Sequence, residues 1–244
     1  MENNNHEPGA ISMDGFKVVV PAHPLISHWV SVLRDQSTPS HAFRSAMGEL
    51  GRLLVYEATR DWLPTVTQEI QSPMGAAIVE SVNQMEPIMI VPILRAGLAL
   101  ADLATSILPS TKTFHLGMAR DEVTLQPSVY LNKSYITEVK LMNYKSPLLW
   151  LPDRFPKGCH ILLVDPMLAT GGTVSAAVDL LKERGAEISQ IRIISAVAAP
   201  PALKKLNQRF PGICVYTGAM DQIVNEKGFI VPGLGDAGDR SYGT

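Results

Sequence analysis

The sequence contains little cysteine: Cys159 and Cys214 are the only two among 244 residues. Their spacing matches neither a zinc-binding pattern nor a disulfide framework. Each lies beside an apolar run of the kind that forms strands, CHILLV and ICVYTG. We therefore expect two reduced structural thiols in a reducing compartment.

The sequence also lacks long hydrophobic runs and an excess of either charge. Its longest apolar stretches, such as residues 87–94, are far shorter than the roughly 20 residues of a membrane span. The amino-terminal residues MENNNHEPGA are polar and contain no apolar signal segment. With scattered charges and a net charge of -2, nothing indicates a face for nucleic acid. These absences predict a cytoplasmic protein that binds neither membranes nor nucleic acid, with residues 1–14 as a flexible tail.

The pattern of apolar residues predicts an α/β fold. Short runs that are apolar on both faces alternate with amphipathic segments, which is typical of a mostly parallel central sheet flanked by helices. The predicted strands are 88–93, 111–118, 160–165, 190–198 and 213–218, and the predicted helices between them are 97–108, 173–184 and 201–210. No repeat or linker interrupts the chain, so residues 15–244 are predicted to form a single domain.

Two further helices and a strand are predicted before this alternation begins. The helices are residues 24–35 and 40–62, and apolar residues at steps of three and four give the second a single apolar face. Ser40 is predicted as the N-cap of the second helix, and residues 64–70 alternate in the manner of a strand.

Residues 119–158 do not fit the alternation. They are polar, with scattered aromatic residues and four prolines. A segment of this length within a compact domain is usually a lid, an arm or an interface element. We predict that it forms a flexible flap or arm.

The most informative short stretch is VDPMLATGGT, residues 164–173. An apolar strand ends at Asp165, and a Thr-Gly-Gly turn then opens a helix. Ligands of open parallel sheets bind beyond the carboxyl ends of the strands, and free N–H groups at a helix start bind anions. The stretch is neither a Walker A loop nor GxGxxG. From chemistry alone, a phosphate site and a plain turn with capping threonines are equally good interpretations.

The same stretch resembles the signature of the uracil phosphoribosyltransferases, a type I phosphoribosyltransferase family that uses 5-phosphoribosyl 1-pyrophosphate (PRPP). The resemblance extends to YEATR, VPILRAGL, GMARDEVTLQP and DQIVNEKGFIVPGLGDAGDRSYGT, in the expected order over most of the chain. It implies the phosphoribosyltransferase fold. One departure from many phosphoribosyltransferases is Pro166, which stands where a second acid often follows Asp165.

The resemblance implies a site for each part of PRPP. The 5-phosphate and ribose would bind to the stretch formed by Asp165, Pro166, Met167, Leu168, Ala169, Thr170, Gly171, Gly172 and Thr173. The pyrophosphate would bind to Arg95 and Arg120, because a guanidinium can donate two parallel hydrogen bonds to phosphate oxygens. Mg²⁺ would be carried mainly by the pyrophosphate, without a dedicated metal site in the protein.

The resemblance places uracil recognition in residues 217–244, at Ile230, Gly235, Asp236 and Ala237. Glycines there allow the backbone to approach a flat base closely. Asp236 would also contact PRPP and orient the attacking nitrogen. The implied catalytic residues are Asp236, Arg120 and Arg95, and the reaction would convert uracil and PRPP to UMP and pyrophosphate.

Other readings remain open at this point. The chain could serve another base, such as orotate or a purine, or act as a PRPP- or UMP-sensing regulator that binds RNA. The resemblance also implies a homo-oligomer, a dimer or larger. Some members of the family are regulated by GTP, and the sequence does not reveal whether this chain is one of them. The scattered histidines His23, His28, His41, His115 and His160 are expected to be structural.

Overall fold

The computed structural model describes residues 10–13, 16–108, 111–120, 127–131 and 151–244. The α-helices of this described part are α1 (Pro24–Arg34), α2 (Ser40–Thr59), α3 (Ala96–Ala101), α4 (Gly172–Glu183), α5 (Pro200–Arg209) and α6 (Ala237–Tyr242). Within the same ranges, every helix is too short or too polar to cross a lipid bilayer.

The described strands are mostly short. They are β1 (Ala10–Met13), β2 (Phe16–Val19), β3 (Thr65–Ser72), β4 (Gly75–Val82), β5 (Ile88–Leu94), β6 (Lys112–Thr113), β7 (Leu116–Arg120), β8 (Pro127–Leu131), β9 (His160–Val164), β10 (Met167–Leu168), β11 (Ile191–Ala198), β12 (Cys214–Met220), β13 (Ile223–Val224) and β14 (Ile230–Val231).

Ten of these strands form one sheet, whose main order is β1-β2-β12-β11-β9-β5-β7-β8. All neighbours from β2 to β7 along this order run parallel, and only the outer pairs β1–β2 and β7–β8 are antiparallel. The predicted α/β fold is thereby confirmed. Since β5 and β9 are adjacent and parallel, their carboxyl ends, followed by Arg95 and Asp165, lie at the same edge of the sheet.

The core lies on both faces of this sheet. One apolar cluster contains residues of α4 and α5, and a second contains residues of α1, α2 and α3. The central strand β11 is buried along its whole length, which explains why its sequence, IRIISAVA, is almost continuously apolar. Burial on both faces fixes the sheet and therefore the positions of the turns that follow its strands.

Several predicted elements differ in detail from the structure, and the predicted helix 40–62 ends at Thr59. Ser40 is the first residue of α2 and not its N-cap, because Pro39 occupies the cap position with extended backbone angles. The predicted helix 97–108 ends at Ala101 and continues only as a short 3-10 turn at 104–106. There the sequence ATSI brings polar and β-branched residues that favour a helix less.

The predicted strand 111–118 is divided into β6 and β7. Both pieces pair with β5 in the same register. The gap between them lies opposite Pro92, which has no N–H group to donate to a neighbouring strand. The break is therefore caused by the proline in the neighbouring strand β5 and not by the sequence of residues 111–118 itself.

Among the elements that were not predicted are β1 and β4, at the edges of the fold. Residues 10–13, inside the predicted tail 1–14, form β1 and pair with β2, whereas residues 1–9 and 14–15 lie outside the described residues. The predicted strand 64–70 is confirmed as β3, but its antiparallel partner β4 was missed. Both β-hairpins expose much of their surface or lie at a sheet edge, where the apolar pattern is weak.

The predicted flap, residues 119–158, is described only in part. Its beginning belongs to β7, and β8 pairs antiparallel with β7. Residues 121–126 and 132–150 lie outside the described residues, so the flap stays a prediction. At its end, the buried side chains of Leu151 and Phe155 join the cluster beside α4.

Both cysteines are free thiols. Cys159 is fully buried, and burial raises the pKa of its thiol to about 11. The thiol is therefore protonated at neutral pH and poorly reactive. The prediction of two free thiols is confirmed, and the reducing compartment stays a prediction.

Candidate functional site

A cavity of about 270 Å³ opens at the carboxyl edge of the sheet. Its walls come from four places in the chain: the ends of β5 and β7, the turn after β9, and the carboxyl-terminal loop. The lining residues are Ile93, Leu94, Arg95, Ala96, Met118, Asp165, Met167, Ala169, Thr173, Gly228, Phe229, Ile230, Gly235, Asp236, Ala237 and Gly238. The fold thus brings residues from distant parts of the sequence to one cavity.

A second, smaller cavity of about 40 Å³ is formed by the Thr-Gly-Gly turn. It shares Asp165, Met167, Ala169 and Thr173 with the larger cavity. The turn itself depends on Gly171, whose φ is +74° and whose Cβ, if present, would lie 3.0 Å from Ala202 Cα. Only glycine combines this left-handed angle with so close an approach of α5.

The turn presents unused hydrogen-bond donors. Among the described residues, no hydrogen bond uses the N–H groups of Thr170, Gly171, Gly172 or Thr173. These groups lie at the start of α4, a helix of 12 residues, where the helix dipole favours an anion. The arrangement suits a phosphate group.

Asp165 follows β9 and lines both cavities. Its Oδ1 accepts a hydrogen bond from Met167 N at 3.5 Å. Although part of its surface faces the cavity, surrounding protein displaces water, and this burial raises the pKa of the carboxyl to about 7. The carboxyl group can therefore change its protonation state near neutral pH.

Arg95 lies between β5 and α3, and its guanidinium is bound by the carboxyl-terminal part of the chain. Nη2 donates to Asp239 Oδ1 at 2.8 Å, and Nη1 donates to Thr244 Oγ1 at 3.1 Å. The side chain is about half exposed. Arg95 thus provides a positive charge at the cavity that remains accessible from solvent.

The loop from Gly235 to Ala237 presents its backbone to the cavity. Asp236 is the N-cap of α6, and its Oδ1 accepts hydrogen bonds from the N–H groups of Gly238 and Asp239 at 2.8 and 2.9 Å. Within the described residues, no hydrogen bond uses the N–H groups of Gly235, Asp236 and Ala237 or the carbonyl of Gly235. The loop therefore offers both donors and an acceptor to a flat ligand.

An ion pair between Arg34 and Asp221 supports the backbone of this loop. Arg34, at the end of α1, donates from Nη2 to Asp221 Oδ1 at 2.7 Å and from Nη1 to Asp221 Oδ2 at 2.9 Å. Asp221 is buried, and its Oδ2 also accepts from Gly233 N at 2.9 Å. The bidentate pair therefore fixes the backbone two residues before Gly235.

Arg240 also supports the loop. Its guanidinium donates to the carbonyls of Leu33, Leu234 and Asp35 and lies 4.2 Å from the centre of the Phe43 ring. These bonds connect the loop to the end of α1 and to α2. The loop thus has a rigid support, although Gly235 and Asp236 are themselves exposed.

Most of the predicted site residues meet at the two cavities. Arg95, Asp165, Met167, Ala169, Thr173, Ile230, Gly235, Asp236 and Ala237 line the larger one, and Leu168, Thr170, Gly171 and Gly172 line the smaller one. Pro166 lines neither; its carbonyl accepts hydrogen bonds from Ala196 N and Val197 N. The backbone of Arg120 ends β7, but its side chain lies outside the described residues.

Comparison with known proteins decides the family. The family model described as uracil phosphoribosyltransferase matches residues 20–244. The chain belongs to the uracil phosphoribosyltransferase family. A relative from Nicotiana tabacum named uracil phosphoribosyltransferase is 63% identical over 96% of this chain and 97% of its own length.

Other proteins are also close to this member of the uracil phosphoribosyltransferase family in sequence or structure. A protein from Arabidopsis thaliana named uracil phosphoribosyltransferase, chloroplastic, is 61% identical over 93% of this chain and 71% of its own length. A solved structure titled AQ2163 protein from Aquifex aeolicus superposes with a TM-score of 0.78 at 36% identity, covering 92% of this chain and 97% of that one.

Sequence reasoning missed the residues that support the uracil phosphoribosyltransferase site. Asp221, Asp239 and Arg240 lie within the quoted stretch DQIVNEKGFIVPGLGDAGDR, so their position there was an available signal. Arg34 carries no local signal, because its partner is 187 residues away. In the same stretch the side chain of Ile230 is buried, whereas those of Phe229 and Val231 are each 40% exposed.

Proposed function

We propose that the chain transfers the 5-phosphoribosyl group of PRPP to N1 of uracil, giving UMP and pyrophosphate. One observation carries this proposal: adjoining cavities join the Thr-Gly-Gly turn, Arg95 and the backbone loop 235–237. Phosphate, pyrophosphate and base would each face chemistry suited to them. Membership of the uracil phosphoribosyltransferase family supports the same reaction.

The base would bind to the loop through backbone groups. Uracil presents two carbonyl acceptors on either side of one N–H donor. The unused N–H groups of residues 235–237 and the unused carbonyl of Gly235 supply the complementary donors and acceptor. Cytosine has an amino donor at position 4 and an acceptor at N3 where uracil has an acceptor and a donor, so the backbone groups of the loop would be left unpaired. The buried side chain of Ile230 closes the cavity beside the base.

The sugar and its phosphate would bind at the turn after β9. The 5-phosphate would accept hydrogen bonds from the N–H groups and hydroxyls of residues 170–173. Ionised Asp165 would accept hydrogen bonds from the ribose hydroxyls, which a neutral carboxyl does less well. The small cavity is continuous with the larger one through Asp165 and Thr173, so phosphate and ribose would be bound side by side.

The protein would accelerate the reaction by positioning the substrates and by stabilising developing charge. N1 of uracil attacks C1 of the ribose as the bond to pyrophosphate breaks, with inversion at that carbon and release of the N1 proton. Because base and ribose would be held aligned in one cavity, the reaction between them would proceed as an effectively unimolecular step. Arg95 and Arg120 would stabilise the charge that develops on pyrophosphate. Asp236, with Oδ1 used as the helix cap, would orient the attacking nitrogen through Oδ2.

Mg²⁺ is proposed to arrive with PRPP. The two carboxylates that line the cavity, Asp165 and Asp236, offer few oxygen ligands, and no group of three or more His, Cys, Asp or Glu that could hold a metal occurs among the described residues. This donor set suits an ion bound mainly by phosphate oxygens and water. Bound there, the ion would neutralise part of the charge on the departing pyrophosphate.

The variant Asp236→Asn tests the site. Asparagine is also a good N-cap, so the helix start should be kept and the thermal midpoint should change little. UMP formation should be abolished, because the carboxylate that orients N1 is gone. A variant that is folded and turns over normally would remove Asp236 from the site.

Substrate choice separates the proposed reaction from its rivals. Labelled uracil, orotate, cytosine and hypoxanthine are each incubated with PRPP and Mg²⁺, and the labelled nucleotide is measured. Of the four bases, only uracil should give a labelled nucleotide. Product from another base would show a different specificity, and binding of UMP or PRPP without turnover would favour a sensor.

Cell location, assembly and regulation complete the proposal. We propose a homo-oligomer, to be measured by sedimentation, and regulation by GTP, to be measured as a GTP-dependent rate. A cytoplasmic location was predicted, but one relative is named as chloroplastic. Fractionation of cells that express the full chain would distinguish the two locations.

A further inference from the structure

The guanidinium of Arg95 is bound at one edge only. Its two terminal nitrogens, Nη1 and Nη2, donate to Thr244 Oγ1 and Asp239 Oδ1, and Thr244 Oγ1 also donates to the same oxygen at 3.1 Å. The three groups form a closed triangle. Among the described residues, no acceptor is bound to Nε of Arg95.

Within the described residues, this arrangement leaves the donors along the side edge of the guanidinium without a hydrogen-bond acceptor. A guanidinium has five N–H donors in a fixed plane, so Nε and the second hydrogen of Nη2 point together along that edge. A pair of parallel donors is the geometry that binds two oxygens of a phosphate. Arg95 lines the cavity. Its hydrogen bonds to Thr244 and Asp239 fix the plane of the guanidinium, and Nε lies in the same plane.

We propose that Asp239, assisted by Thr244, is a positioning residue that orients Arg95 to bind the pyrophosphate of PRPP. The inference rests on the proposed function, in which Arg95 binds pyrophosphate. Asp239 does not touch the substrate in this account and acts through Arg95. Since the pair is about half exposed on both sides, it contributes little to stability, and its main effect is on orientation.

The contact between Asp239 and Arg95 also connects the proposed pyrophosphate site with the proposed uracil site. Asp239 is in the first turn of α6, and Asp236, three residues earlier, caps that helix and lies in the loop proposed to bind uracil. Tyr242, in the last turn, donates from its hydroxyl to the carbonyl of Arg95 at 3.4 Å. A short helix therefore connects the base loop to the arginine of the pyrophosphate site.

The test compares Asp239→Ala with Arg95→Ala and the double variant. Asp239→Ala should raise the KM for PRPP by about 5- to 30-fold, a loss of about 1 to 2 kcal/mol, and change the KM for uracil by less than about twofold. Titration calorimetry with PRPP and Mg²⁺ should show the same loss in affinity. Asp239→Asn, which keeps an acceptor oxygen, should recover part of it.

The matched control is Asp179→Asn. Asp179 pairs with Arg209 at 2.7 Å on the surface, with exposure similar to that of the Arg95 pair, and it lies outside the cavity. Its loss should leave both KM values unchanged. Thermal melts of all variants verify that each is folded before binding is compared.

The double variant distinguishes the possible failures. If Asp239 acts through Arg95, adding Asp239→Ala to Arg95→Ala should not weaken PRPP binding further. Fully additive losses, or an unchanged or lower KM for PRPP in Asp239→Ala alone, would overturn the positioning role. If Arg95→Ala itself leaves PRPP binding intact, the proposed role of Arg95 fails and this inference fails with it.

Discussion

At the scale of single residues, Asp165 is the group whose ionisation folding changes most clearly. Burial raises the pKa of its carboxyl from 3.8 to about 7. The folded chain therefore binds more protons than the unfolded chain between these values. Stability from this group is complete below about pH 4 and is lost as the pH rises towards 7.

Asp165→Asn should accordingly increase the stability of the protein at neutral pH. Asparagine does not ionise, so the free energy of unfolding should exceed that of the wild type by up to about 4 kcal/mol above pH 7 and by little below pH 4. Urea unfolding at several pH values measures this. A difference that does not vary with pH would contradict the assignment.

The same substitution should reduce activity. In the proposed reaction the ionised carboxyl accepts hydrogen bonds from the ribose, so kcat/KM for PRPP should increase as the pH rises through about 7. Asp165→Asn should show a low kcat/KM without that rise. A gain in stability with a loss of activity is typical of a functional residue.

At the scale of elements, the end of α1 supports the base loop, residues 233–237, which we propose binds uracil. Arg34 is bound to the buried carboxylate of Asp221, which also accepts the N–H of Gly233. Gly233 itself has a φ of +58°, and a Cβ there would collide with the carbonyl oxygen of Ile230. The loop conformation therefore depends on glycine and on its ionic support.

Arg34→Ala should destabilise the protein by about 2 to 4 kcal/mol, because it leaves a buried carboxylate without its partner. It should also raise the KM for uracil more than the KM for PRPP, since the support lies behind the base loop. Chemical denaturation and steady-state kinetics measure the two effects.

Arg209→Ala, which removes an exposed ion pair, is the control and should cost less than about 1 kcal/mol. Equal effects of Arg34→Ala on both KM values would show that the support is not specific to the base loop.

Sequence reasoning was most successful for elements with a strong pattern. β5, β9, β11, α4 and α5 agree with prediction within about two residues, because apolar runs and helical periods are local signals. The hairpin β3–β4 was half missed because β4 is exposed along alternate residues and contains two alanines. Its pairing is set by the turn after Ser72 and not by a buried face.

At the scale of the whole molecule, the parallel order of the sheet determines which residues meet. Parallel pairing of β5 with β9 places Arg95 and Asp165 at one edge; the sequence pattern predicted a mostly parallel sheet with ligands beyond its carboxyl ends, but not which strands are neighbours. The pattern could not predict that α6 returns to the same edge. That return depends on contacts such as Arg95 with Asp239, 144 residues apart, which have no periodic signal in the sequence.

The family resemblance supplied what periodicity could not. Its motifs alone associated the carboxyl-terminal loop with the turn after β9, and the two segments line adjoining cavities. The motifs did not reveal Arg34, Asp221 or Arg240, because the role of these residues is to support the loop. Residues that support a site are found from hydrogen bonds and burial, which only the folded chain displays.

A crystal structure of the protein with UMP bound tests the central claim most directly. We predict the phosphate of UMP against the N–H groups of residues 170–173 and the uracil ring against the backbone of residues 235–237, in the same molecule. UMP bound elsewhere, or bound to one of these two segments with the other too distant to reach it, would contradict the account.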